Sequence, residues 1–344
     1  MNRSAVIDSI KALASQVIVL HHLSQYTPMT DWIALAWPRL VGFILEDGRL
    51  AVQPFLVIGG FLAAQSLSKQ HDQAVGPLIW KRYVRLAPPL FVALVLVIFA
   101  TLWLGNELSH EDWLSPLPSP GVFLAHLFLL QDVLDIPSMS AGAWYVAIDL
   151  QLFGLFALLA HLSHKSRCRL SESFAPIVVA ISTVASIHIF SREAALDVWA
   201  IYYLSAYGLG ALVAWARDCS RARVWLWITV SLLLLDWISD PRTRPVLALT
   251  IAMGLYGYSH LRWHCVMHPL RKGIQYLSDV SYSVFVSHFA VIIVASGIWE
   301  KFDLEGVATA SMGLAIAWVA CLGVGVAVQM ICDQTMHRMS SVHR

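Results

Sequence analysis

The chain has 344 residues, 58% of them hydrophobic and only 13% charged, whereas soluble domains run roughly 45–50% apolar and about 25% charged. This balance excludes disordered, collagen-like and disulfide-scaffold classes and points to an integral membrane protein, and fourteen Trp agree with that. A net charge of +1 gives no bulk attraction for nucleic acid, so none is expected as a partner; the lipid bilayer is.

Apolar runs of about 20 residues are long enough to cross a bilayer as helices. Ten such spans are predicted, at 5–24, 49–67, 86–104, 142–162, 174–190, 197–216, 223–239, 245–260, 280–299 and 309–332. The segment 121–134 is flanked by Pro116, Pro118, Pro120 and Pro137 and reads as a short re-entrant or interfacial helix. The fold class is therefore all-α, a polytopic helical bundle forming one domain over 1–344. A β-barrel is excluded because the apolar runs are continuous rather than alternating. The first span carries Asp8, Lys11, His21 and His22, which no signal peptide would, so it is expected to stay in the chain.

With the N-terminus placed in the cytoplasm, Arg3, Lys69, Lys81, Arg82, Arg85, Lys165, Arg167, Arg169, Arg217, Arg221, Arg223, Arg262, Arg271, Lys272, Arg338 and Arg344 fall inside. Only Arg39, Arg49, Arg192, Arg242, Arg244 and Lys301 fall outside. This asymmetry follows the positive-inside rule and places both termini in the cytoplasm; counting 121–134 as a span would reverse it for every later loop. Cys168, Cys219 and Cys265 lie in cytoplasmic loops and Cys321 and Cys332 in or at the end of the last span, so neither a disulfide nor a metal pattern is expected.

Ionisable groups within spans are costly and tend to mark function. Asp8, Lys11 and His22 are separated by steps of three and eleven residues, which at about 100° per residue bring all three onto one helix face. Lys11 and His22 then lie about 16 Å apart along the axis. Two readings stand: a functional face, or an Asp8–Lys11 pair at the inner interface with His22 reaching for the outer one. Arg82 and Arg85 share a face at the inner end of the third span, fit either to grip phosphates or to anchor the helix. Trp144 opens a span that buries Asp149, and a lone buried acid needs a partner. Tyr282 and His288 lie in Ser281-Tyr-Ser-Val-Phe-Val-Ser-His288, where His288 is either functional or satisfied by a neighbouring helix. His126 and His188 read as structural. No GxGxxG, P-loop, HExxH or GxSxG pattern occurs, so chemistry must take place within the bundle.

Together these segments resemble the acyltransferase-3 family of bacterial membrane acyltransferases. Lys11 with His22 is similar to that family's first-span pattern of Arg or Lys followed after ten residues by His. Phe55 to Leu62 resembles "FFxxSGFL", Lys81 to Pro88 "RRxxRixP", Trp144 to Phe153 "WSLxxExxFY", Tyr202 to Ala214 a glycine-containing span, and Ser281 to His288 "SYxxYLxH". Two positions depart: Asp149 stands where the family has Glu, and Gly59 where it has Ser.

The resemblance implies a stand-alone form without the C-terminal SGNH esterase-like domain of some relatives, acting in the bacterial inner membrane. It implies transfer of an acyl group, acetyl foremost, from cytoplasmic acyl-CoA as co-substrate to a hydroxyl of an envelope carbohydrate, with no tightly bound cofactor and no metal. His22 would be the catalytic base, joined by Lys11 and Asp149. Lys11, Arg82 and Arg85 would hold the CoA phosphates, and Asp8, Trp144, Tyr282 and His288 would support the substrates or the site. The rival class is a transporter or flippase of a glycan or lipid-linked sugar, since buried Asp, Lys and His also serve proton-coupled movement; the chain shows neither an inverted repeat nor paired broken helices in its favour.

Overall fold

The computed structural model describes residues 5–70, 73–114, 116–165, 171–260 and 270–342, and every regular element among them is helical. In chain order these are α1 (Ala5–Tyr26), α2 (Met29–Ala36), α3 (Pro38–Asp47), a 3-10 turn (Gly48–Ala51), α4 (Val52–Leu67), α5 (Val75–Leu104), α6 (Pro120–Leu127) and α7 (Ala143–Lys165). There follow α8 (Ser171–His188), two short 3-10 turns, α9 (Ala200–Ala216), α10 (Ser220–Ser239), α11 (Thr243–His260), α12 (Arg271–Lys301) and α13 (Val307–Val342). Arg3, Arg167, Arg169, Arg262, Arg344, Cys168 and Cys265 lie outside the described residues.

Each of the ten predicted spans overlaps a helix, and among the described residues eight stretches are long and apolar enough to cross a membrane: α1, Pro38–Leu67, α5, α7, α8, α10, α12 and α13. The chain is a multi-pass membrane protein. α9, with 17 residues, is shorter than these, and α11 is not among the eight. Lipid explains why side chains such as Phe99, Trp103, Leu235 and Ile238 stand exposed on long helices, where water would penalise them.

The segment predicted as one short helix over 121–134 is helical only to Leu127. Ser119 caps its start by accepting from the Val122 N–H, and Pro120 occupies the first turn. Its end is a left-handed turn at Leu129, φ 60°, with Leu130 N–H bonded to Ala125 O and Leu129 N–H to His126 O. That is a Schellman closure with leucine in the position glycine usually takes, and it satisfies the last carbonyls so that the helix stops.

The chain forms two compact units. One contains α1 up to Ile10, α4, α5 up to Arg85, and the chain from Ala147 through α11. Within it α4 and α9 meet backbone to backbone: a Cβ at Gly60 would overlap the Tyr207 carbonyl oxygen, and one at Gly210 the Val57 carbonyl oxygen. Small residues allow this approach, which is how membrane helices gain van der Waals contact without hydrophobic drive. The other unit contains α1 from Lys11, α2, α3, α5 from Leu86, the chain to Val146, and α12 and α13. Its core joins Val19 and Leu23 of α1, Val97 and Ala100 of α5, Val284 and Ile292 of α12, and Ala317 and Cys321 of α13.

In that second unit α1 and α12 run in the same direction. Lys11 Nζ donates to the Ser278 carbonyl (3.0 Å), His22 meets His288, and Ser296 Oγ donates to the Tyr26 carbonyl (3.0 Å), so residue numbers rise together on both helices. Parallel spans need an odd number of crossings between them. Seven predicted spans separate the two, and five of the eight long apolar stretches do; both numbers are odd.

Candidate active site

In the second unit, α1 and α12 bring together two histidines far apart in sequence. His22 Nδ1 lies 2.7 Å from His288 Nε2, and His288 Nδ1 lies 2.6 Å from the Phe285 carbonyl oxygen. His22 is 7% exposed and His288 fully buried. The rings are parallel within 5°, but nitrogens 2.7 Å apart exclude face-to-face stacking, which holds planes about 3.5 Å apart. The two imidazoles therefore meet edge to edge, as an in-plane hydrogen bond requires.

This chain of bonds determines where the hydrogens sit. A carbonyl only accepts, so His288 must carry its hydrogen on Nδ1, which leaves its Nε2 as an acceptor. His22 then donates from Nδ1, and its own Nε2 is the unprotonated nitrogen. Nε2 has no other hydrogen-bond partner among the described residues. Around the pair stand Tyr26, with its ring 5.8 Å from His22, and Phe289 and Trp113, both packed on Tyr26. Behind the Phe285 carbonyl lies Gly142, where an added Cβ would be 2.9 Å from that oxygen.

Lys11 and His22 both bond to α12, so the face predicted for them in α1 is the face turned to that helix. Asp8, on the part of α1 that belongs to the first unit, is buried. Tyr282 donates from its hydroxyl to the Leu86 carbonyl (2.8 Å), just before Pro88 and Pro89 interrupt the bonding of α5. Trp144 packs edge to face on Tyr145, which packs in turn on Phe285.

The first unit holds the other predicted residues. Asp149 of α7 grips Arg82 of α5 as a fork: Nε to Oδ2 at 2.9 Å, Nη2 to Oδ1 at 2.8 Å and Nη2 to Oδ2 at 2.7 Å. The guanidinium also covers the Phe153 ring at 5.3 Å. The buried acid thus has the partner its burial demands, while Arg85, one turn further along α5, is exposed. His126 and His188, expected to be structural, are each engaged by their own surroundings. His126 donates to the Val122 carbonyl and accepts from the Met139 N–H (2.8 and 2.9 Å), and His188 pairs with Asp236. His21 bonds to the Ile44 carbonyl at 3.0 Å. Among the described residues no three His, Cys, Asp or Glu side chains form a metal site.

A family model described as an acyltransferase domain matches residues 5–332, nearly the whole chain. The chain belongs to the acyltransferase-3 family. It is also similar to a Caenorhabditis elegans protein named regulator of hypoxia-inducible factor 1, at 27% identity over 132 residues, 37% of this chain and 26% of that relative. The chain thus matches about a quarter of that relative's length. No solved structure matches. The family it belongs to is one of membrane acyltransferases.

The two departures from the acyltransferase-3 pattern lie side by side. A Cβ at Gly59 would be 3.0 Å from Tyr207 Cε2 and 3.7 Å from Asp149 Oδ1. The Tyr207 ring, fully buried, fills the space a serine side chain would need, and Asp149 reaches Arg82 with one methylene fewer than Glu has. Sequence reasoning missed Tyr207, Gly142 and the Phe285 carbonyl, since neither a packing glycine nor a backbone oxygen announces its neighbours. It also missed Asp236, a third buried acid beside Asp8 and Asp149, which His188, Arg192 and Arg242 surround.

Proposed function

We propose that this protein transfers an acyl group, acetyl foremost, from cytoplasmic acyl-CoA to a hydroxyl of an envelope carbohydrate in the bacterial inner membrane. The observation that carries the reading is the hydrogen-bond chain ending at an unprotonated His22 Nε2. In the reaction, Nε2 takes the proton of the acceptor hydroxyl as its oxygen attacks the thioester carbonyl carbon. The C–S bond then breaks, and the CoA thiolate takes the proton back from Nε2, leaving an ester, free CoA and neutral His22. The transient imidazolium is stabilised through its Nδ1–H bond to His288. Such a base contributes about 10²- to 10⁴-fold.

Lys11, held by the Ser278 carbonyl, places a cation about 16 Å along α1 from His22, a span suited to an extended pantetheine arm. Exposed Arg85 offers the guanidinium geometry that phosphates favour, while Arg82, whose Nε and Nη2 donate to Asp149, adds its charge beside it. Asp8 balances charge near the inner end, and Trp144 and Tyr282 brace the elements that carry the site. The surplus of basic residues in the loops on one side supports a cytoplasmic location for both termini.

The test compares envelope polysaccharides by mass spectrometry from cells carrying the wild-type gene, no gene, or His22→Ala. One acyl mass on a carbohydrate in the wild type alone is the expected result. Full acylation with His22→Ala refutes the mechanism, and no acyl difference under any condition favours transport over transfer.

A further inference from the structure

His288 does more than fill a gap between helices. A neutral imidazole carries its single hydrogen on either nitrogen, and the choice decides which nitrogen takes a proton. For His22 the choice is made by the group that faces Nδ1. That group is His288 Nε2, 2.7 Å away and itself committed as an acceptor because His288 Nδ1–H is spent on the Phe285 carbonyl at 2.6 Å. The carbonyl is fixed in turn: a Cβ at Gly142 would stand 2.9 Å from its oxygen and 3.2 Å from Phe285 Cε1, so only glycine lets the start of α7 close against it.

We infer that His288 is a positioning residue which, through the Phe285 carbonyl braced by Gly142, locks His22 in the tautomer that leaves Nε2 bare. The inference rests on the reading of His22 as the proton acceptor. Without His288 the hydrogen of His22 is released to Nε2, and the lone pair moves to the nitrogen that faces α12. A base in the wrong tautomer loses up to about 10⁴-fold in turnover. The donor is still bound, so kcat falls while the KM for acyl-CoA holds.

The chemistry selects informative variants. His288→Leu removes the acceptor and keeps bulk. His288→Gln restores an acceptor, because the Gln side-chain oxygen reaches about as far from the backbone as the imidazole Nε2. The test uses the full-length protein in phospholipid nanodiscs with ¹⁵N-labelled histidine rings, the His22 signals being assigned by their loss in His22→Ala. The expected wild-type signature is hydrogen on His22 Nδ1, a shift to Nε2 in His288→Leu, and return to Nδ1 in His288→Gln. Acyl-CoA turnover on native envelope membranes, with acetyl-CoA as donor, should fall at least 100-fold in His288→Leu at unchanged KM and recover at least tenfold in His288→Gln.

An unchanged His22 tautomer in His288→Leu overturns the inference, as does wild-type turnover in His288→Leu when His22→Ala is inactive. Full turnover in His22→Ala instead overturns the base assignment, and the two failures are thereby distinct. Gly142→Ala supplies a variant outside the histidine pair: the added methyl should displace the Phe285 carbonyl and shift the His288 Nδ1–H resonance. No shift there removes Gly142 from the arrangement.

Discussion

Asp149→Asn isolates the charge of the Arg82 fork, because asparagine keeps the shape of the side chain but offers one oxygen and an NH₂ where the guanidinium needs two acceptors. Three contacts of 2.7–2.9 Å are affected. Removing one partner of a buried ion pair costs about 3–5 kcal/mol, mostly because the other charge is left uncompensated. Here Asp149 is 6% exposed but Arg82 is 26% exposed, so water rehydrates part of the guanidinium and brings the expected loss to about 2–3 kcal/mol. The double variant Arg82→Met with Asp149→Leu removes both charges and should lie within about 1 kcal/mol of wild type, since desolvation is relieved together with attraction. Reversible unfolding of the full-length protein in mixed detergent micelles is measured for wild type, Asp149→Asn, the double variant and its two singles, Arg82→Met and Asp149→Leu. A loss below about 0.5 kcal/mol for Asp149→Asn, or a double variant as unstable as the sum of the singles, would refute the argument that this acid is stabilised by its pairing.

Three further outcomes test the packing. Gly210→Ala should destabilise by about 1–3 kcal/mol or more, because its methyl would overlap the Val57 carbonyl; Gly254→Ala, whose methyl would meet open space, should leave the same melting curve unchanged or slightly raised. His126→Ala leaves the buried Met139 N–H without its acceptor and should cost about 1–3 kcal/mol in thermal or detergent unfolding, while acyl transfer per folded molecule stays at the wild-type level. Tyr282→Phe deletes the hydrogen bond to the Leu86 carbonyl and should cost about 1 kcal/mol, read by the same unfolding assay; a loss of several kcal/mol would show that the hydroxyl does more than brace α5.

The membrane class, the helical fold and the positions of the long helices were legible from composition and apolar runs, because a bilayer imposes length and hydropathy on any segment that crosses it. The face shared by Lys11 and His22 was legible too, since helical periodicity depends only on local geometry. The early stop of α6 at Leu127 was not, because it depends on a leucine accepting a left-handed turn that sequence patterns reserve for glycine. Nor does length decide whether α9 and α11 cross alone; a short apolar helix packed closely among others looks the same in one dimension as one that is not.

The sequence by itself determined which residue types were available for chemistry: ionisable groups within spans, Asp8, Lys11, His22 and Asp149 foremost, in a chain only 13% charged. Only the tertiary structure decided what each of them faces. Asp149 needed a partner on energetic grounds, yet that it is Arg82, 67 positions away, follows from how α5 and α7 pack. His22 and His288 are 266 positions apart, and the tautomer of one depends on a backbone carbonyl beside the other. Hydrogen bonds act over about 3 Å and between groups the chain brings together from any distance, so the inventory was local information and the pairing was not.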